Sequence, residues 1–132
     1  MRILVTEDDY VSRYALTIML RGYGDVDVAV DGAESLKAFR QALEEGKAYD
    51  LVFMDIIMPK MDGLEASRKI RETEKQYGIV PRNEAKIIMT TAMCDPRTVF
   101  KAFNKSHATE FMVKPCEATS IQETLARVGS VA

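Results

Sequence analysis

The sequence predicts a doubly wound α/β domain on a five-stranded parallel sheet. Short apolar runs alternate with segments of helical spacing, and the notable polar residues follow the runs. Ile3-Leu4-Val5 is the first run. Wholly apolar runs of this length suit parallel strands covered on both faces. Val11, Ala15, Ile18 and Met19 then recur at helical spacing. Val26, Val28 and Val30 alternate with Asp25, Asp27 and Ala29, which suits an edge strand. Leu36, Phe39 and Leu43 mark a second helix, and Leu51 to Met54 a third, fully buried strand.

A third helix is predicted from Leu64 to about Tyr77, with Asp62 placed to cap it. Tyr77 to Ala85, with Gly78 and Pro81, reads as an extended loop before the fourth strand, Ile87-Ile88-Met89. Val99, Ala102 and Phe103 predict a fourth helix, opened by Asp95 as cap and Pro96 at the first helical position. Phe111-Met112-Val113 supplies the fifth strand, and Ala118, Ile121, Leu125 and Val128 the last helix. Parallel neighbours require right-handed helical crossovers, so this alternation implies one domain over residues 1–132, with ligands expected beyond the carboxyl ends of the strands.

At 132 residues the chain can bury roughly two thirds of the surface its unfolded form exposes, so it needs no disulfide or metal to fold. A net charge of -2 does not suggest a nucleic-acid or anionic-membrane surface. Met1-Arg2 runs straight into the first strand and no apolar run approaches a membrane span, so no membrane insertion and a cytoplasmic location are expected. Cys94 and Cys116 stand alone, without metal-ligand spacing, and read as free thiols.

Four segments send polar residues to one edge of the sheet: Glu7, Asp8 and Asp9 after the first strand, Asp55 at the end of the third, Thr90 and Thr91 at the end of the fourth, and Lys114-Pro115 after the fifth. Carboxylates brought together raise one another's pKa unless a cation neutralises them. All the available ligands are oxygen, which suits Mg2+. Asp8 and Asp55 are the expected direct carboxylate ligands, a carbonyl just past Asp55 is a further candidate, and Glu7 would act through a metal-bound water. A carboxylate can also attack phosphorus to give an aspartyl phosphate, whose three oxygens would be met by Mg2+, Lys114 and Thr91.

Ile3-Leu4-Val5-Thr6-Glu7-Asp8-Asp9, Leu51-Val52-Phe53-Met54-Asp55-Ile56-Ile57-Met58-Pro59-Lys60-Met61-Asp62-Gly63, Ile87-Ile88-Met89-Thr90-Thr91-Ala92 and Phe111-Met112-Val113-Lys114-Pro115 give the chain a recognisable pattern. From Ile3 to Val128 it resembles the receiver domain of two-component response regulators, in the single-domain, chemotaxis-regulator-like form. The resemblance implies a flavodoxin-like fold with strand order 2-1-3-4-5. It implies Asp55 as phosphoacceptor, Glu7 and Asp8 as the acidic pair, the Ile57 carbonyl as backbone metal ligand, Thr91 as switch hydroxyl and Lys114 as the essential lysine. Phe111 matches the aromatic switch position, and the bond from Lys114 to Pro115 is often cis in the family.

Phosphodonors implied by the resemblance are a histidine kinase or a histidine phosphotransfer protein, with small donors such as acetyl phosphate also admitted. Phosphorylation would draw Thr91 inward, turn Phe111 into the vacated space and alter the face made by the fourth helix, fifth strand and fifth helix. Phe100 is a candidate exposed group on that face. A downstream protein target is expected because nothing follows Ala132 to hold an output domain, and homodimerisation on phosphorylation is left open.

Other residues read more plainly. Thr90 points to the opposite side of its strand from Thr91 and is taken as structural, and Asp9 as the cap of the first helix. His107 stands where receivers usually carry glycine and is expected to end a helix with a left-handed backbone. Ile57 and Met93 flank the path to Asp55, and apolar side chains there would slow water attack on an acyl phosphate.

Two alternatives use the same fold. A receiver-shaped module that is never phosphorylated would not need Asp55, Thr91 and Lys114. An aspartate-nucleophile phosphatase of the haloacid dehalogenase type wants a second acid two residues after the nucleophile, where Ile57 stands. Self-phosphorylation and self-dephosphorylation, rather than turnover, are therefore expected.

Overall fold

The computed structural model describes residues 1–58, 61–92, 97, 104 and 107–129. In chain order these form β1 (Arg2–Thr6), α1 (Tyr10–Leu20), β2 (Asp25–Ala29), α2 (Gly32–Glu44), β3 (Leu51–Asp55), α3 (Gly63–Gln76), β4 (Lys86–Thr91), β5 (Glu110–Val113) and α4 (Ala118–Arg127). A 3-10 turn, Pro81–Asn83, interrupts the loop before β4. The fourth helix predicted from Val99, Ala102 and Phe103, its cap at Asp95-Pro96, and Phe100, Met93 and Cys94 lie outside the described residues. Arg97 and Asn104 are helical and exposed.

All strand pairs are parallel and the order is β2-β1-β3-β4-β5, as expected. Because side chains alternate along a strand, each apolar run feeds two cores. Leu4, Val52, Met54, Ile87 and Met89 pack with Phe39 and Ala42 of α2 and Ala66 and Ile70 of α3. Ile3, Val5, Leu51, Phe53 and Ile88 pack with Leu16 and Leu20 of α1 and Ile121 and Leu125 of α4. Each such fully buried side chain contributes about 1.5–3 kcal/mol relative to exposure. Two-sided burial is why the central strands read as unbroken apolar runs.

The edges depart from the sequence reading. β2 is an edge strand, but Val28 is exposed, Val30 lies beyond it, and Ala29 reaches the core instead. β5 is the other edge, so its run is less buried than expected: Phe111 is half-buried and Val113 exposed. On α1, Val11, Ala15 and Ile18 face outward and Leu16 and Leu20 make the core contact. A helix apolar around most of its circumference cannot be phased from spacing alone.

Local signals set the loops. Asp9, Asp31 and Asp62 each accept a bond from the backbone N–H three residues on, at 2.9, 2.8 and 2.9 Å, capping α1, α2 and α3. His107 has φ 55°, the left-handed backbone expected of it, and the Lys114-Pro115 bond is cis. At the opposite end of the sheet from the acidic residues, Arg71 bridges α3 to β4 and β5. It donates to Glu74 Oε1 (2.7 Å), the Ala85 carbonyl (2.9 Å), the His107 carbonyl (3.1 Å) and Thr109 Oγ1 (3.3 Å).

Candidate functional site

Strand ends and the loops they launch place the polar residues. Thr6 ends β1, and the chain runs through Glu7 and Asp8 into the Asp9 cap. The Glu7 N–H donates to the Ala29 carbonyl at 3.1 Å, and its own carbonyl accepts from Arg13 Nη1 at 2.9 Å. Asp55 ends β3 in register with Thr90. Its loop returns tightly: the Gly63 N–H donates to the Ile56 carbonyl at 2.8 Å, and a Cβ on Gly63 would overlap the Asp55 carbonyl. Glycine is required there by close approach. The Lys114 N–H donates to the Thr91 carbonyl at 2.7 Å, tying the chain past β5 to the end of β4.

Glu7, Asp8 and Asp55 each direct a carboxylate oxygen to one place, the three atoms lying within 4.8 Å of one another. Glu7 is 1% exposed and Asp55 6%, whereas Asp8 is exposed. Lys114 Nζ lies 2.5 Å from Glu7 Oε2 and 3.3 Å from Asp55 Oδ2. Burial, then the hydrogen bond and negative charge of Glu7, push the Asp55 carboxyl up to about 7, against the opposing pull of Lys114. On Lys114 burial acts downward, but the bond to Glu7 and the charges of Asp55 and Glu7 outweigh it and raise its pKa.

Two buried carboxylates therefore share one ammonium, and near neutrality Asp55 competes between a proton and a negative charge. This donor set fits a hard divalent cation: the ligands are oxygen, the local charge is negative, and exposed Asp8 leaves one side open to water. Ile57 sits two residues past Asp55 with its side chain 62% exposed. Thr91 is buried at the end of β4. Phe111 lies in register with Met89, further down the sheet, and packs on the core with Ala108. Thr90 is buried too, but in the layer of Ile88, opposite Met89 and Thr91, as its strand position implied.

Asp9 is exposed, and its bonds to Ser12 hold its carboxyl below the usual range, consistent with capping. Cys116 is a half-buried free thiol, raised by burial and therefore a poor nucleophile. Sequence reasoning missed Gly63 and Arg13 as supports. Gly63 carried a usable signal, a glycine beside the predicted cap Asp62. Arg13 did not, since its bond to the Glu7 carbonyl depends on how the loop folds.

The profile of the response regulator receiver domain matches residues 3–126. The chain is 36% identical to hybrid signal transduction histidine kinase L of Dictyostelium discoideum over 97% of its own length but only 7% of that kinase. It is 36% identical to chemotaxis protein CheY of Treponema pallidum, covering 96% of this chain and 81% of that protein. Among solved structures, the receiver domain of the histidine kinase CKI1 from Arabidopsis thaliana, complexed with Mg2+ and BeF3-, superposes with TM-score 0.78 at 30% identity, covering 95% of this chain and 89% of that one. The Saccharomyces cerevisiae complex of phosphotransfer protein Ypd1 with the Ssk1 receiver gives TM-score 0.81 at 22% identity, over 98% and 88%, a likeness of fold. No helix among the described residues is long and apolar enough to cross a membrane.

Proposed function

The chain belongs to the response regulator receiver domain family of two-component and phosphorelay systems, and we propose that it signals by accepting a phosphoryl group on Asp55. The observation that carries this reading is a buried Asp55 carboxylate held beside Glu7 and Asp8 with Lys114 Nζ 3.3 Å away. Glu7, Asp8 and Asp55, with the Ile57 carbonyl, would hold Mg2+, which when bound neutralises charge on the phosphoryl oxygens.

The transfer itself needs no general base. An Asp55 carboxylate oxygen attacks the phosphorus of a phosphohistidine, forming the O–P bond as the P–N bond breaks, and the imidazole nitrogen keeps the electron pair. Lys114 stays protonated throughout and stabilises charge on the phosphoryl oxygens. The donor is a histidine kinase or a histidine phosphotransfer protein, consistent with the relatives named above. Thr91 closes on the phosphoryl group, and Phe111 follows into the space it leaves, which changes the surface of β5 and α4 read by a downstream protein.

The discriminating experiment is titration of the protein with beryllofluoride and Mg2+ by amide NMR. Shifts are expected near Thr91, Phe111 and α4, abolished by EDTA and by Asp55→Asn. No response in the wild type would favour a receiver-shaped binding module that is never phosphorylated.

A further inference from the structure

Arg13 of α1 ties the acidic loop to the outer face of its own helix. It stands one turn past the Asp9 cap, its N–H donating to the Asp9 carbonyl at 2.9 Å, and helical side chains tilt toward the helix N-terminus. The guanidinium therefore reaches back to the loop that carries Glu7 and Asp8. Its Nη1 donates to the Glu7 carbonyl at 2.9 Å and, more weakly, to the Asp8 carbonyl at 3.5 Å. The Glu7 N–H donates in turn to the Ala29 carbonyl at 3.1 Å. Both polar groups of the Glu7 backbone are thus engaged, which fixes where its carboxylate and that of Asp8 leave the chain. The guanidinium carbon also lies 5.6 Å from the centroid of the Tyr10 ring, within cation–π range. Tyr10 is 67% exposed and stacks on Tyr14 one turn on, with ring centroids 6.2 Å apart.

Arg13 acts on a cation at the acidic cluster in two opposed ways. Its positive charge repels one, so losing the charge would tighten binding. Its hydrogen bonds hold the loop that brings the Glu7, Asp8 and Asp55 oxygens within 4.8 Å of one another, so losing them lets mutually repelling carboxylates spread. Asp8 and Tyr10 are exposed, and water there screens the repulsion. Groups that orient metal ligands, by contrast, are worth about 10–100-fold in affinity. Positioning therefore outweighs repulsion. We propose that Arg13, steadied by the Tyr10 ring, is a positioning residue that preorganises the Glu7-Asp8 loop for a divalent cation. The inference rests on the reading of Glu7, Asp8 and Asp55 as a Mg2+ site.

The test is titration of the full chain with Mg2+ alone, followed by amide and carbonyl NMR, in the wild type, Arg13→Met, Arg13→Lys and Tyr10→Leu. Arg13→Met should bind Mg2+ about tenfold more weakly, and its metal-free form should show the Glu7 carbonyl carbon moved upfield by loss of its donor. Arg13→Lys keeps a donor and should stay within about threefold of the wild type. Tyr10→Leu should weaken binding by about two- to fivefold, the fold-change of an exposed cation–π contact. Arg71→Met, at the opposite end of the sheet, should lose stability in urea without a change in Mg2+ affinity, which separates positioning from general destabilisation. A wild type that binds Mg2+ beside an Arg13→Met that binds it equally or more tightly would overturn the inference alone, leaving charge as the only effect of Arg13. Equal losses in Arg13→Met and Arg13→Lys would overturn the role of the bond to Glu7. A wild type that binds no Mg2+ would overturn the metal site itself, and the inference with it. If Arg13→Met does not fold, Tyr10→Leu decides: weaker binding supports the inference and unchanged binding overturns it.

Discussion

Replacing Asp55 with Asn should stabilise the protein in EDTA, and the gain should depend on pH. In the folded state the Asp55 carboxyl is raised from 3.8 to about 7 by burial and by Glu7. Between those values the folded state holds a proton that the unfolded chain has released, so stability falls as pH rises through the window. The interval is about three units at about 1.4 kcal/mol each, so an ionised Asp55 costs up to about 4 kcal/mol by pH 8. Lys114, raised in the folded state, stays protonated at both pH 5 and pH 8 and does not contribute to the difference.

Asn stands in for the neutral acid at every pH, and the pull of Lys114 is already contained in the raised value, so the gain should be about 4 kcal/mol at pH 8 and shrink to about 1.6 kcal/mol at pH 5, which is still above the unfolded value of 3.8. Urea unfolding followed by far-UV circular dichroism measures it directly. Mg2+ should then stabilise the wild type, by about 2.7 kcal/mol at a hundredfold excess over Kd, and Asp55→Asn much less. An Asn variant no more stable than wild type at pH 8, or equally stabilised at pH 5 and pH 8, would refute the reasoning.

Other substitutions test the supports of the site. Arg71→Met leaves the buried Glu74 carboxylate without its ion pair and should destabilise by about 3–5 kcal/mol in urea unfolding, with Arg71→Met/Glu74→Gln recovering a large part. Gly63→Ala forces a Cβ onto the Asp55 carbonyl; stability should drop by about 1–3 kcal/mol and the beryllofluoride response should weaken several-fold. His107→Gly relieves a left-handed residue and should stabilise by up to about 1 kcal/mol, read from the urea midpoint; a loss of similar size would show that the histidine side chain is needed there.

What was legible in the sequence follows from which interactions are local. The runs at Ile3, Leu51 and Ile87 announced β1, β3 and β4 because strands buried on both faces admit few polar residues. Asp9 and Asp62 announced helix starts because an Asx cap acts within three residues, and Asp31 carries the same signal at α2. The convergence of Glu7, Asp8, Asp55 and Lys114 was readable because strand ends in a parallel sheet share an edge. Their pairing was not, since the closer approach of Lys114 to Glu7 than to Asp55 is set by distances across segments more than 45 residues apart. The Arg71 bridge was hidden for the same reason: its partners Ala85, His107 and Thr109 lie 14, 36 and 38 residues away. The buried face of α1 was misphased because Val11 and Ile18 are apolar yet exposed, while Leu16 and Leu20 fill the core.

Phosphoryl transfer to Asp55 is tested most directly by incubating the protein and Mg2+ with radiolabelled phosphohistidine donors, both histidine kinases and histidine phosphotransfer proteins. The result expected is acid-stable, alkali-labile label on this chain from a matched donor, mapping to Asp55 and absent in Asp55→Asn and in EDTA. Label that persists in Asp55→Asn, or a chain that stays unlabelled by every donor and by acetyl phosphate while its fold is intact, would contradict it.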